Sequence, residues 1–217
     1  MTRWLQVNRE LFANRQFLVS LGTTLLLFGV SFGINYYASG YALKSVSNPV
    51  TDIILSNTRV YDVDVIFVYG AIVFWIFIGM LCIWKPNKIP FIFKSVALFI
   101  VIRSLFIILT HIAPFPTRIT INPGTIISDF TFGGDLFFSG HTGLPFLMAL
   151  VFWQHKWLRV FFIISSLVFG AVVLLGHIHY SIDVLGAFFI TYSIFHIAEV
   201  FFKKDRKIFR LDEPTKI

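Results

Sequence analysis

One uninterrupted apolar stretch spans residues 65–84 and reads VIFVYGAIVFWIFIGMLCIW, twenty residues without a charge. A helix needs about 20 predominantly apolar residues to cross the hydrocarbon core of a bilayer, so this stretch predicts a transmembrane helix. Five further apolar stretches meet or approach that length, at residues 17–33, 95–113, 140–153, 160–176 and 182–202. We predict an all-α integral membrane protein, a bundle of six transmembrane helices. The fourth of them is short and begins with polar residues, which predicts a watery cavity at its outer end.

The composition agrees with a membrane protein. Of the 217 residues, 57% are hydrophobic and 13% are charged, whereas soluble domains are about half apolar and a quarter charged. This excludes a disordered chain, a nucleic-acid-binding domain and a disulfide-stapled secreted domain. The single cysteine, Cys82, permits no internal disulfide, and we expect it to be a small buried apolar residue.

Basic residues are distributed very unequally between the two ends of the predicted helices. One end carries fourteen of the eighteen: Arg3, Arg9, Arg15, Lys85, Lys88, Lys94, Lys156, Arg159, Lys203, Lys204, Arg206, Lys207, Arg210 and Lys216. The opposite end carries Lys44, Arg59 and Arg118, and Arg103 lies within a helix. Because Lys and Arg concentrate in cytoplasmic loops, we expect both termini and two short loops in the cytoplasm. The basic residues at the cytoplasmic end then account for the net charge of +7, and nucleic-acid binding is not needed to explain it.

The chain divides into three parts. Residues 1–16 predict an amphipathic segment on the cytoplasmic surface, residues 17–202 a six-span catalytic membrane domain, and residues 203–217 a basic cytoplasmic tail. The first apolar stretch has basic residues before it, as a signal peptide does, but we interpret it as an uncleaved first span. Three outer segments, residues 35–64, 114–139 and 176–181, are long or polar enough to carry chemistry.

The segment GDLFFSGHTG, residues 134–143, holds the first candidate site. Ser139 is a plausible N-cap of the following helix. The N–H groups and the positive dipole end of a helix start bind anions, and His141 can exchange a proton with an oxygen of such an anion. The alternative is a polar helix cap beside an interfacial histidine.

The segment GHIHYSIDV, residues 176–184, holds the second. His179 and Asp183 are four residues apart and share a helix face, so the carboxylate can hold one imidazole nitrogen and make the other a nucleophile. His177 is expected to point elsewhere. We do not expect His155 or His196 to be catalytic.

Arg103 lies within an apolar stretch and needs an anion. A phosphate is the natural bidentate partner, and an internal pair with Glu199 is the alternative. The sequence contains no glycine-rich nucleotide loop, no His-Glu-x-x-His pattern and no Gly-x-Ser-x-Gly elbow, so we predict neither a metal nor a cofactor.

The two histidine segments together resemble the paired motifs of the type 2 phosphatidic acid phosphatase superfamily. The resemblance is closest to its sphingomyelin synthase branch, whose members carry a stretch like Gly134-Asp135 before Ser-Gly-His-Thr, and an Arg, a Thr seven residues later and a Pro-x-Pro, as in Arg103, Thr110 and 114–116. Two departures from the phosphatases favour that branch: Val173 stands where they carry an Arg, and no Arg-Pro pair precedes the motif. The short chain, and Gly133 in place of the branch's usual Cys, leave the headgroup and acceptor open.

This resemblance implies a lipid headgroup phosphotransferase that works through a phosphohistidine. His179, Asp183 and His141 are its catalytic candidates. Arg103, Ser139, Gly140 and Thr142 are its phosphate-binding candidates, and Asp135, Asp52 and His177 are candidates for headgroup contacts.

The resemblance also implies the surroundings of the reaction. We expect a multi-pass protein of the plasma or inner membrane, with the active site on the non-cytoplasmic face. The partners are a phospholipid or lipid phosphate as donor and a lipid alcohol or water as acceptor, with self-association into a homo-oligomer left open. A lipid phosphate phosphatase, which uses water as acceptor, and a non-catalytic lipid transporter are the alternatives.

Overall fold

Every secondary-structure element in the described part of the chain is helical. The computed structural model describes residues 2–119 and 136–211, with side chains from residue 8 onward. The α-helices there are α1 (Thr2–Ala13), α2 (Arg15–Lys44), α3 (Asp64–Trp84), α4 (Ile89–Leu109), α5 (Gly140–Val151), α6 (Lys156–Leu175), α7 (Ser181–Phe201) and α8 (Lys203–Phe209). Short 3₁₀ turns occupy Leu55–Asn57 and Pro86–Lys88.

Five of these helices, α2, α3, α4, α6 and α7, are long and apolar enough to cross a membrane. The prediction of an all-α, multi-pass membrane protein is therefore confirmed. Helix α5 has 12 residues, which at 1.5 Å per residue is about 18 Å against a hydrocarbon core of about 30 Å. Its length does not establish a sixth crossing, so the count of six spans and the cytoplasmic position of both termini remain predictions.

Helix α5 forms the centre of the bundle although it is short. It packs against α6, α7 and α4, and most of its residues are buried. Ser166 of α6 donates a hydrogen bond of 2.7 Å to the carbonyl of Thr142, which holds the first turn of α5 against α6. The position of α5 therefore follows from the helices around it.

Helix α2 runs eleven residues beyond residue 33, where the apolar stretch ends. Its packing against α4 explains the extension, because the small residues Ala38, Ser39 and Ala42 remain buried there beside Ile107. Small residues let two membrane helices approach closely along their length. The hydropathy of the sequence therefore predicts the apolar part of a helix, but it does not predict how far the helix continues through packing against a neighbour.

The start of the segment predicted as a basic tail is a packed helix, α8. Asp205, Arg206 and Phe209 are buried, and Asp205 accepts hydrogen bonds from Lys94 Nζ at 2.8 Å and from Ser20. Lys88 Nζ donates to the carbonyl of Phe209 at 2.9 Å. These contacts attach α8 to α2 and α4.

Gly143 allows α5 to approach α4 and α7. A Cβ atom on Gly143 would lie 2.7 Å from Phe99 Cε2 and 2.9 Å from Thr191 Oγ1. Gly143→Ala should therefore overpack the bundle and lower the free energy of unfolding by about 1–3 kcal/mol. Thermal unfolding in detergent measures the effect. Gly29→Ala is the matched control, because a Cβ there meets no atom within 4 Å, and equal unfolding temperatures for the two variants would contradict the proposed close approach.

Candidate active site

The two histidine segments meet where α5 and α7 begin. The Ser139 N–H donates a hydrogen bond of 3.2 Å to the backbone carbonyl of Asp183. Ser139 is also the N-cap of α5, since its Oγ accepts hydrogen bonds from the Thr142 N–H at 3.3 Å and from the Thr142 hydroxyl at 3.2 Å. Both side chains are fully buried. They therefore build the helix start, and a direct phosphate contact by either remains a prediction.

His179 lies in the turn before α7, and its Nδ1 faces two acceptors. The carbonyl oxygen of Leu136 is 2.8 Å away and Asp183 Oδ2 is 3.4 Å away. Neither atom can donate a hydrogen bond, so Nδ1 must carry the proton. In the neutral ring, Nε2 then holds the lone pair, which is the tautomer that a nucleophilic histidine needs.

Asp183 is the third residue of α7 and is 1% exposed. Its Oδ2 accepts the Tyr180 N–H at 3.0 Å, which caps the helix, and the same oxygen lies beside His179. Its Oδ1 is buried without a hydrogen-bond partner among the described residues. The expected pairing of His179 and Asp183 is present, but the two residues do not share a helix face, because α7 begins only at Ser181. The Leu136 carbonyl is a second and closer partner of the ring.

His141 lies in the first turn of α5, stacked against Phe67 of α3. The ring centroids are 4.0 Å apart and the planes make an angle of 26°. Phe169 of α6 contacts the ring at 5.8 Å. His141 is also close enough to His179 and Arg103 for electrostatic interaction with both. The fold thus brings the two histidines and the buried arginine into one site.

Arg103 reaches that site from the middle of α4. Its Nε donates to the carbonyl of Phe138 at 2.8 Å and lies 3.6 Å from the position a Cβ would take on Gly140. Glu199, the alternative partner, accepts from Arg206 at 3.2 Å and from Arg210 at 3.3 Å.

The start of α5 adds positive potential beside this guanidinium. The N–H groups of Gly140 and His141 occupy the first turn, where helix geometry provides no intrahelical acceptor. Such groups, at the positive end of the helix dipole, bind phosphate oxygens well. The site therefore combines two histidines, a buried arginine and a helix start of the kind that binds anions.

Asp52 joins the first outer loop to α7. Its Oδ2 accepts from Ser181 through the backbone N–H at 2.7 Å and the hydroxyl at 2.8 Å, while its Oδ1 accepts the N–H groups of Ile54 and Leu55 at 2.9 and 3.0 Å. Burial raises the pKa of Asp52, but these hydrogen bonds outweigh it and hold the pKa below its usual value. Both carboxylate oxygens are thus engaged within the protein.

His177, in the short turn before α7, joins that turn to two further loops at the same end of the bundle. Its Nδ1 is 2.6 Å from Thr117 Oγ1 and its Nε2 is 3.4 Å from Thr58 Oγ1. Burial lowers the pKa of His177, against the opposite effect of the Asp52 charge. Headgroup contacts by Asp52 and His177 remain predictions, and Asp135 lies outside the described residues.

Sequence reasoning missed three contributors to the site. The carbonyls of Leu136 and Phe138 orient His179 and Arg103, and the Phe67 ring supports His141. A backbone carbonyl has no signature in the sequence. Phe67 is one of 27 phenylalanines, so nothing distinguished it before the helices were packed.

Comparison with known proteins agrees with this geometry. Residues 133–200 match the family model described as PAP2 superfamily C-terminal. The matched segment contains both histidine motifs and ends before α8, and Arg103 lies outside it. No curated protein and no solved structure matches the chain. The match supports a phosphoesterase-type enzyme and does not separate a phosphotransferase from a phosphatase.

The hydrogen bonds of Asp52 predict a measurable effect on stability. Asp52→Ala should lower the free energy of unfolding by about 2 kcal/mol near neutral pH, because it removes the acceptor of the Ser181 N–H at the start of α7 and leaves buried and partly buried donors unpaired. Since the pKa of Asp52 is lowered, this stabilisation is present above the unfolded value of about 4 and is lost as the pH falls through the lower folded value. Thermal unfolding against pH measures both effects.

Asp62→Ala is the control for that experiment. Asp62 is an exposed acid of the same loop, and its carboxylate accepts a local hydrogen bond from the Asp64 N–H. Its replacement should leave the unfolding temperature nearly unchanged. In acid the unfolding temperatures of the wild type and of Asp52→Ala should approach each other. If their difference stays the same, the Asp52 carboxylate is not the stabilising group.

Proposed function

We propose that this protein is a membrane-embedded lipid phosphotransferase that moves a phospho-headgroup from a phospholipid to a lipid alcohol through a phosphohistidine. The observation that carries the proposal is the Nδ1 environment of His179. Two acceptors hold the Nδ1 proton, and the Nε2 lone pair is left for attack. The family match over both histidine motifs supports the same chemistry.

In the first step, His179 Nε2 attacks the phosphorus of the lipid phosphodiester. An N–P bond forms while the P–O bond to the diacylglycerol or ceramide part breaks, and His141 gives its proton to the leaving alkoxide. Positive charge that develops on His179 is stabilised by Asp183, which lies 3.4 Å from Nδ1.

In the second step, His141 takes the proton of an incoming lipid hydroxyl, whose oxygen attacks phosphorus and displaces His179. Arg103 and the N–H groups of Gly140 and His141 stabilise the phosphoryl oxygens in both steps. Such electrostatic stabilisation supplies most of the rate in phosphoryl transfer. The site ends each cycle with His179 free and His141 protonated again.

A cleft between α2 and α3 supports a lipid as the substrate. It has a volume of about 400 Å³ and reaches Arg103, Gly140 and the polar side chain of Asn35. Aromatic and aliphatic side chains line the rest of it, including Phe28, Phe32, Trp75, Phe93, Val96 and Leu144. Phe93 and Arg103 are ten residues apart on α4, about 15 Å along the helix and about half of a hydrocarbon core. One acyl chain of a lipid whose phosphate contacts Arg103 matches this length.

The distribution of basic residues supports an orientation for the site. Lys88, Lys94 and Lys204 lie at the end of the bundle away from His179, which the positive-inside rule assigns to the cytoplasm. We therefore place the reaction on the non-cytoplasmic face of the plasma or inner membrane.

Trapping the intermediate tests the nucleophile. After a brief incubation with a ³²P-labelled lipid phosphoester, the wild-type protein should carry an acid-labile, base-stable label that His179→Ala lacks. His141→Ala should still accumulate this label from a ³²P-labelled p-nitrophenyl phosphoester. The p-nitrophenolate anion leaves without being protonated, so this step does not need His141. Turnover of ordinary lipids should fall by about 10²–10⁴-fold in His141→Ala.

His196→Ala is the matched control, because His196 lies near the far end of α7 with its side chain 51% exposed. It should keep full turnover and labelling. Normal turnover by His179→Ala, or label elsewhere in the chain, would show that the mechanism is wrong.

Product analysis separates transfer from hydrolysis. Purified protein in vesicles that contain a labelled short-chain phospholipid and unlabelled diacylglycerol or ceramide should form a labelled lipid ester. Release of free phosphate or free headgroup alone would instead identify a lipid phosphatase, which the family match equally allows. Movement of intact phospholipid between leaflets, with no covalent product, would identify a transporter.

A further inference from the structure

A basic cleft lies at the end of the bundle opposite His179. It is bounded by the first turns of α2 and by α8, with Lys94 of α4 at its base. Two adjoining cavities of about 640 and 710 Å³ share Thr23, Lys94, Lys204, Asp205 and Lys207. We propose that this cleft binds the phosphate headgroup of an anionic phospholipid from the adjacent leaflet, separately from the catalytic site.

The charge of the lining is strongly positive. The cations are Arg15, Lys94, Lys203, Lys204 and Lys207, and Asp205 is the only acid in the described lining. Asp205 is already neutralised, because Lys94 Nζ lies 2.8 Å from one carboxylate oxygen and Ser20 donates to the other. After this pair cancels, four cations remain to attract an anion.

The lysines of α8 are held in place and do not belong to a loose tail. Arg206 Nη1 donates to the carbonyl of Val151 at 3.0 Å, and Lys88 Nζ donates to that of Phe209 at 2.9 Å. Because Asp205, Arg206 and Phe209 face the bundle, Lys204 and Lys207 lie on the exposed side of a fixed helix. If these lysines served only to set the membrane topology, their number would matter and their positions would not. Lysines that are held in fixed positions around a cavity are suited to binding a headgroup.

Apolar side chains beside the lysines favour a lipid over a soluble anion. Val19 and Leu27 of α2 and Phe201 of α7 line the same cavities. They are 58%, 39% and 71% exposed. On a helix that crosses a bilayer, such exposed apolar groups meet acyl chains. The cleft thus offers charge to a phosphate and apolar contact to the chains below it.

The amount of lipid that stays bound to the purified protein measures binding at this cleft. The protein, purified in a neutral detergent, is titrated with phosphatidylglycerol or with phosphatidylcholine and analysed by native mass spectrometry. We expect phosphatidylglycerol to be retained in preference. Each lysine removed should weaken its binding about fivefold, so Lys204→Gln with Lys207→Gln should weaken it about 25-fold. The double replacement by Arg should restore binding, which excludes a folding defect.

Lys156→Gln is the matched control for Lys207→Gln. Lys156 is an exposed lysine at the same end of the bundle, at the start of α6 and outside the cleft. Its replacement should leave phosphatidylglycerol binding unchanged. Equal losses in both variants would reduce the effect to general surface charge and overturn the site. Full displacement of phosphatidylglycerol by inorganic phosphate at the same concentration would also overturn it, since a soluble anion would then suffice. The proposal stands independently of the catalytic mechanism, because phosphohistidine labelling does not report on it.

Discussion

The junction at Asp183 holds the two histidine segments of this protein together. Its backbone carbonyl accepts the N–H of Ser139, its side chain accepts the N–H of Tyr180, and the same carboxylate lies beside the Nδ1 of His179. One residue therefore connects the start of α5, the start of α7 and the proposed nucleophile. All of these groups are at most 5% exposed, so water cannot replace a lost partner and the geometry is tightly specified.

The loops at the same end of the bundle form a polar frame around that junction. Asp52 binds Ser181, and the Tyr180 hydroxyl donates to the carbonyl of Ala113 at 2.8 Å while it accepts the N–H of Val50 at 3.3 Å. With the contacts of His177, these bonds tie the first and second outer loops to the short turn before α7. The α2–α3 cleft lies on the side of the bundle, so the proposed lipid reaches Arg103 from the bilayer and not through this frame.

Buried ionic groups serve different purposes at the two ends. At the end away from His179, Lys94, Asp205 and Ser20 satisfy one another and fix α8 against α2 and α4. At the catalytic end, Arg103 interacts with a backbone carbonyl and lies beside a helix start that is itself positive. Positive potential in a low-dielectric site stabilises the negative charge of a phosphoryl group. The first arrangement stabilises the fold, and the second is the one that we propose for the phosphoryl group.

Much of this could be predicted from local sequence. The long apolar stretches determined the helices α3 and α7 to within one residue, because a helix in a bilayer must satisfy its own backbone hydrogen bonds. Helix α6 begins four residues before its apolar stretch, at Lys156. Ser139 determined the start of α5, since an N-cap depends only on local helix geometry. The approach of His179 to Asp183 was predicted from a shared helix face, but the conformation of the turn before α7 produces it. Tertiary packing alone decided the extension of α2 along α4, the attachment of α8, the Arg206 and Arg210 partners of Glu199, and the carbonyls that orient His179 and Arg103. Those contacts join residues far apart in the chain, and a backbone carbonyl is the same in every residue, so no local pattern could have revealed them.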